Sequence, residues 1–154
     1  MIGFHFFVIL LFETVNYRYY IGIDTGTNTG FAVWDLIDKH FVAIQTYKID
    51  EAMERVLSFH NIIGSSKIFV RFEDARLRKW FGKAGREQLQ GAGSIKRDCA
   101  IWEDFLTRKG IPFEAVAPKN NRTKLSAKQF KMITGYEGKT SEHARDAAML
   151  VFNS

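Results

Sequence analysis

The sequence predicts an α/β domain built on a mixed five-stranded sheet flanked by helices. Two observations carry this. Three closely spaced β-rich runs open the domain, so tight connections make them an antiparallel meander. After them, helical and strand-like runs alternate, the pattern of crossover units with parallel strands.

The elements follow in order. Arg18–Asp24 (RYYIGID) is aromatic and β-branched and ends at a glycine-rich turn, Thr25–Thr29, so it reads as a buried strand. Gly30–Asp35 and Phe41–Lys48 read as two further strands, with a turn around Asp38–Lys39. Asp50 is placed to cap a helix running to Ile63, with Met53, Val56, Leu57, His60 and Ile63 on one stripe and Gly64 beyond its end. A lone histidine on such a stripe reads as packing rather than as a ligand. Lys67–Glu73 (KIFVRFE) is a short strand ending in adjacent acids, and Ala75–Gly85 a basic loop. A long helix is predicted over Arg86–Lys109, with Leu89, Ile95, Cys99, Trp102 and Leu106 at helical spacing. Gly91 and Gly93 lower its propensity, which predicts close approach of the sheet or a second subunit there. Phe113–Val116 reads as the fifth strand, closed by Pro118. Ser126–Thr134 is a short basic helix, and Ser141 caps a last helix reaching Phe152.

Residues 17–154 are thus expected to be one domain, with 1–16 an apolar extension outside it. Ile2–Phe12 (IGFHFFVILLF) is too short for a membrane helix, which needs about 20 residues. It also lacks the basic flank and small-residue cleavage site of a signal peptide. An extra edge strand or a weak membrane anchor are the alternatives for it. No membrane association is expected.

The 154 residues include 46% hydrophobic and 25% charged side chains, which excludes disordered and fibrous classes. Cys99 is the one cysteine, so neither an intrachain disulfide nor a cysteine zinc site is available, and a reducing cytoplasm is expected. The net charge of +5 points to a polyanionic partner. Its distribution sharpens this. Ala75–Arg86 holds Arg76, Arg78, Lys79, Lys83 and Arg86 without an acid, and Ala115–Tyr136 holds Lys119, Arg122, Lys124, Lys128 and Lys131, again without one. Two solvated surfaces would look the same, but two acid-free stretches in one small domain favour a phosphate backbone. Trp80 and Phe81 lie within the first stretch, either as an aromatic wedge stacking on opened bases or folded back as a small satellite cluster.

Four polar residues fall at element ends: Asp24, Glu73, and His143 with Asp146 one turn apart on the last helix. If the first and fourth strands are parallel neighbours, Asp24 and Glu73 emerge side by side, and a helix across that edge adds the other two. Three carboxylates and an imidazole without a basic neighbour would repel, and divalent cations resolve such repulsion. Oxygen-rich ligands suit Mg2+ or Mn2+. Each residue alone has an ordinary role open to it: Asp24 as turn acceptor, Glu73 as strand-end solvation, His143 and Asp146 as first-turn charges.

Ile21-Gly22-Ile23-Asp24-Thr25-Gly26 with Gly30, then Phe72-Glu73-Asp74-Ala75, then His143-Ala144-Arg145-Asp146-Ala147-Ala148 resembles the RuvC family of Holliday-junction resolvases. These belong to the RNase H-like nucleases, and the resemblance covers about Tyr19–Phe152. It implies an RNase H-like fold and a DNA endonuclease working by two-metal-ion phosphodiester hydrolysis. Asp24 would bridge the metals, Glu73, His143 and Asp146 would ligate them, and His143 stands where many members have an aspartate and some a histidine. Four-way DNA junctions are the implied substrate. Arg76, Arg78, Lys79, Trp80, Phe81, Lys83, Arg86, Lys119, Arg122, Lys124 and Lys128 are the candidate DNA contacts. Lys119 or Lys124 is placed to steady the scissile phosphate. Cutting both strands symmetrically needs two active sites, so a homodimer is expected. Other readings are a branched- or flap-DNA nuclease with looser selectivity and a DNA-binding protein that never cuts. A sugar-kinase-like phosphate-binding module shares the Asp24–Gly30 turn but needs two such domains.

Overall fold

The computed structural model describes residues 16–78, 86–118 and 124–154, with only the backbone at 86–90 and 92. The expectations for residues 1–15, Lys79, Trp80, Phe81, Lys83, Lys119, Arg122 and the Arg86 side chain lie outside the described residues.

Five strands form one mixed sheet: β1 (Tyr19–Asp24), β2 (Asn28–Asp35), β3 (His40–Lys48), β4 (Ile68–Glu73) and β5 (Phe113–Val116). Their spatial order is β3-β2-β1-β4-β5. β1, β2 and β3 pair antiparallel, whereas β4 runs parallel to both β1 and β5. Among the described residues the α-helices are α1 (Ile49–Ile63), α2 (Arg86–Lys109), α3 (Ala127–Thr134) and α4 (Glu142–Met149). A mixed sheet with a meander followed by parallel crossovers is the predicted α/β architecture.

Strand alternation sorts the side chains into two cores. On one face Ile21, Ile23, Phe31, Val33, Ile68, Val70 and Phe72 pack with Val56 of α1 and with Cys99, Trp102 and Leu106 of α2. On the other, Ala32, Trp34 and Ile44 pack with Phe130 of α3 and Ala144, Ala147 and Ala148 of α4. The domain is therefore three layers, with α1 and α2 on one face and α3 and α4 on the other.

Several local expectations need correction. The N-cap of α1 is Lys48, not Asp50; the Glu51 carboxylate reaches back to accept from the Lys48 N–H at 3.1 Å. α4 ends at Met149 rather than Phe152. The sheet does not approach Gly91 or Gly93, because a Cβ at either would meet no described atom of the chain within 4 Å. Ile95, assigned to the apolar stripe of α2, is 42% exposed.

Away from the sheet end that carries the acids, Asp35 is 2% exposed and closes the β2–β3 turn. Burial would raise its pKa, but hydrogen bonds from the Asp38 N–H, the Arg18 guanidinium and the Ile37 N–H outweigh this and hold it below the usual carboxylate range. Asp74 is likewise lowered: burial opposes, and the Arg76 guanidinium and N–H prevail. A carboxyl depressed in the folded state stabilises above its unfolded pKa, about 3.9, and loses that contribution as pH falls through the folded value. Denaturant unfolding of the protein should therefore show stability falling steeply below about pH 4. Asp35→Asn, less stable at pH 7, should show a shallower fall. Parallel pH profiles for the two proteins would contradict this.

Candidate active site

The four site residues predicted from sequence lie near the carboxyl ends of β1 and β4, where open α/β sheets place their ligand sites, with Asp24 touching His143 and within electrostatic reach of Asp146 and Glu73. The parallel register pairs Ile23 with Phe72, so Asp24 and Glu73 leave the sheet side by side. Alternation puts both on the α4 face, because Ile23 and Phe72 point into the opposite core.

Two glycines decide how closely α4 can approach. A Cβ on Gly22 would lie 2.0 Å from the Ala147 carbonyl oxygen, and one on Gly30 would lie 1.9 Å from that of His143. Both glycines sit on the face covered by α4, and Gly30 pairs directly with Asp24. The absent side chains allow helix backbone to rest on sheet backbone. Ala144, Ala147 and Ala148 make the helix side of the contact equally thin.

The ends of α4 are then fixed. Ser141 caps it, accepting from the Ala144 N–H at 3.0 Å, and its hydroxyl meets that of Thr46 on β3 at 2.5 Å. Arg145 donates to the Leu125 carbonyl at 2.7 Å and to that of Thr140 at 2.9 Å. Seated this way, α4 brings His143 Nδ1 to 2.8 Å from the Asp24 carboxylate. Asp146 lies buried nearby and accepts from the Lys124 N–H at 3.0 Å.

The electrostatics mark Asp24 as the strained member. Its pKa is pushed up to about 6, first by burial and then by the charges of Asp146 and Glu73, against the opposing effect of His143. Burial also raises Asp146. Neighbouring carboxylates that resist ionisation together have the donor chemistry that a hard divalent cation satisfies. Among the described residues, no three His, Cys, Asp or Glu side chains surround one point closely enough to hold an ion as they stand. The Asp24 carboxylate is turned onto His143, whose side chain is 49% exposed and has room to rotate. The donor set fits a divalent cation, and the closed ligand shell would need that contact to open.

One expectation about this cluster is corrected. It has a basic neighbour: the Lys124 ammonium pairs with Glu142, and Asp146 and Asp24 add to the effects that raise its pKa. Lys124 holds a left-handed backbone, φ 62°, with its N–H directed at Asp146. Arg76, expected among the DNA contacts, has its guanidinium on Asp74 and 2.7 Å from Glu103 of α2. It braces the turn after β4 against α2. Arg78 and Lys128 are exposed.

Sequence reasoning missed a contact on the far side of the strand ends. Thr25, one residue past Asp24, points to the α2 face. Its hydroxyl donates to the Glu73 carbonyl at 3.3 Å and lies 3.3 Å from Cys99 Sγ. Cys99 Sγ is also 3.6 Å from that carbonyl. The signal was available as parity: the residue after an α4-facing Asp24 had to face the helix carrying Cys99.

No protein-family model matches the chain, and no curated protein matches it either.

Proposed function

We propose that this chain is a metal-dependent, structure-selective DNA endonuclease with an RNase H-like fold. It would resolve four-way junctions in the manner of the RuvC family, as a homodimer in the cytoplasm. The observation that carries the reading is the convergence of Asp24, Glu73 and Asp146, with His143, at the ends of two parallel strands under a helix seated on glycine. The sequence resemblance supplies the family. The net charge of +5 and the exposed Arg78, Lys124 and Lys128 suit a phosphate backbone. No described helix is long and apolar enough to cross a membrane.

In this reading Asp24 and Glu73 would hold the metal between them, with Asp146 as a further ligand and His143 at the rim. Bound Mg2+ or Mn2+ ions would activate a water and stabilise the leaving oxygen of an in-line displacement. The chain supplies the rest. The Lys124 N–H fixes one oxygen of Asp146. The exposed Lys124 ammonium, paired with Glu142, would exchange that partner for a phosphate oxygen.

The test is cleavage of synthetic four-way, three-way, flap and linear duplex DNA with Mg2+ or Mn2+, with chelator controls. Paired, symmetric cuts in the four-way junction, abolished by chelator, are expected. Comparable cutting of three-way and flap substrates would reassign the protein as a looser branched-DNA nuclease. Junction binding without cutting in either metal would overturn the nuclease reading.

A further inference from the structure

Asp24 and Glu73 can act on one ion only if the ends of β1 and β4 keep a fixed separation. The last register pair in the parallel ladder is Ile23 with Phe72, one residue short of both acids. Beyond it the backbone ladder no longer sets the spacing. On the buried side of the same two ends, the Thr25 hydroxyl bonds the Glu73 carbonyl at 3.3 Å. One hydroxyl thus joins the residue adjacent to one acid to the main chain of the other. Cys99 Sγ closes the triangle, 3.3 Å from the Thr25 hydroxyl and 3.6 Å from the Glu73 carbonyl, and is itself fully buried in α2. Neither Thr25 nor Cys99 is placed among the candidate metal ligands. Their node lies behind the sheet, on the side away from α4.

We propose that Thr25, backed by Cys99, is a positioning residue that sets the separation of the Asp24 and Glu73 carboxylates and thereby the affinity for divalent cations. The inference rests on the metal-dependent nuclease reading above. A valine at position 25 has nearly the shape of threonine but cannot hydrogen-bond the Glu73 carbonyl. The Glu73–Asp74 peptide would keep its Cys99 contact and the Asp74 N–H bond to the Val116 carbonyl of β5, but would lose its tie to the residue beside Asp24, so the spacing of the two acids would no longer be set from the β1 side. Loss of groups that orient metal ligands from behind typically weakens metal binding by about 10–100-fold.

The experiment compares the wild-type chain with Thr25→Val and Thr25→Ser. Free Mn2+ is measured by electron paramagnetic resonance during titration of each protein without DNA, alongside thermal melting and junction cleavage. Thr25→Val should bind Mn2+ about 10-fold more weakly or worse. The Mg2+ concentration for half-maximal cleavage should rise in parallel, while the rate at saturating metal falls less. Thr25→Ser, which keeps the hydroxyl, should restore most of the affinity even if it melts lower, because it also loses the methyl group. Unchanged Mn2+ affinity in Thr25→Val, with the wild type binding Mn2+ and cutting DNA, would overturn the positioning role alone. A wild type that neither binds Mn2+ nor cuts would overturn the nuclease reading and this inference with it. Equal losses of affinity in both variants, tracking their melting temperatures, would reduce Thr25 to a packing residue and also overturn the proposal.

Discussion

Gly30→Ala should cost the protein both stability and cleavage, although it adds a single methyl group. The new Cβ would fall 1.9 Å from the His143 carbonyl oxygen and 3.0 Å from Asp24 Cβ. The first of these is backbone, so no side-chain rotation relieves the clash. Either β2 bends or α4 lifts, and a displacement of about 1 Å at reacting groups is enough to cost about 100-fold in rate. Overpacking of this kind costs about 1–3 kcal/mol, a visible drop in Tm. Gly22→Ala, aimed at the Ala147 carbonyl from 2.0 Å, should behave alike. Gly91→Ala is the control: its Cβ meets no described atom within 4 Å, and alanine in a helix is favoured over glycine by about 0.5–1 kcal/mol. Melting and junction-cleavage assays on the three variants check this. A Gly30→Ala protein as stable and active as the wild type would contradict the seating of α4 described here.

Asp24→Asn should separate function from stability in the opposite direction. The carboxylate is partly withdrawn from water and feels the charges of Asp146 and Glu73, and its pKa of about 6 means that the folded state resists its ionisation. Above that pH the charge destabilises the fold relative to the unfolded chain, where the pKa is ordinary. An amide removes this penalty and can still hydrogen-bond His143. The variant should therefore melt at or above the wild-type temperature at pH 7.5 while cleaving at least about 100-fold more slowly. Junction binding, measured by gel shift without metal, should be equal or tighter, because a negative charge facing phosphate is lost. Cleavage above about a hundredth of the wild-type rate would remove Asp24 from the chemistry. A large fall in Tm would make it a structural residue.

Much of this arrangement was legible in the chain itself. The order of elements followed from periodicity, since β2 is buried from Thr29 to Asp35, β4 alternates in burial, and α2 carries Cys99, Trp102 and Leu106 at helical spacing. The meeting of Asp24 with Glu73 required one further assumption, that β1 and β4 are parallel neighbours, which the register bears out. Pairings set by three-dimensional geometry were less accessible. Charge counting treated Arg76 as part of an acid-free stretch, yet Glu103, distant in sequence, approaches it within 2.7 Å. The same counting placed Lys124 in a basic patch, whereas the fold brings Glu142 and Asp146 to it from α4. At Gly91 and Gly93 the half of the expectation that involved the sheet fails, since no described atom of the chain lies within 4 Å of a Cβ there. Glycine in a helix interior signals close approach only when something lies opposite, and at Gly22 and Gly30, on strands, something does. A penalty in local propensity names a position but not its cause.

The proposed nuclease chemistry requires Asp24 and Glu73, at adjacent strand ends, to hold divalent cations with Asp146. Anomalous diffraction from crystals of the protein soaked in Mn2+ tests it most directly. The account predicts Mn2+ within coordination distance, about 2.0–2.6 Å, of carboxylate oxygens from both Asp24 and Glu73, with the His143 ring turned away from its present contact with Asp24. Crystals that take up Mn2+ elsewhere, with Asp24 still bonded to His143 and no anomalous peak beside it, would contradict it.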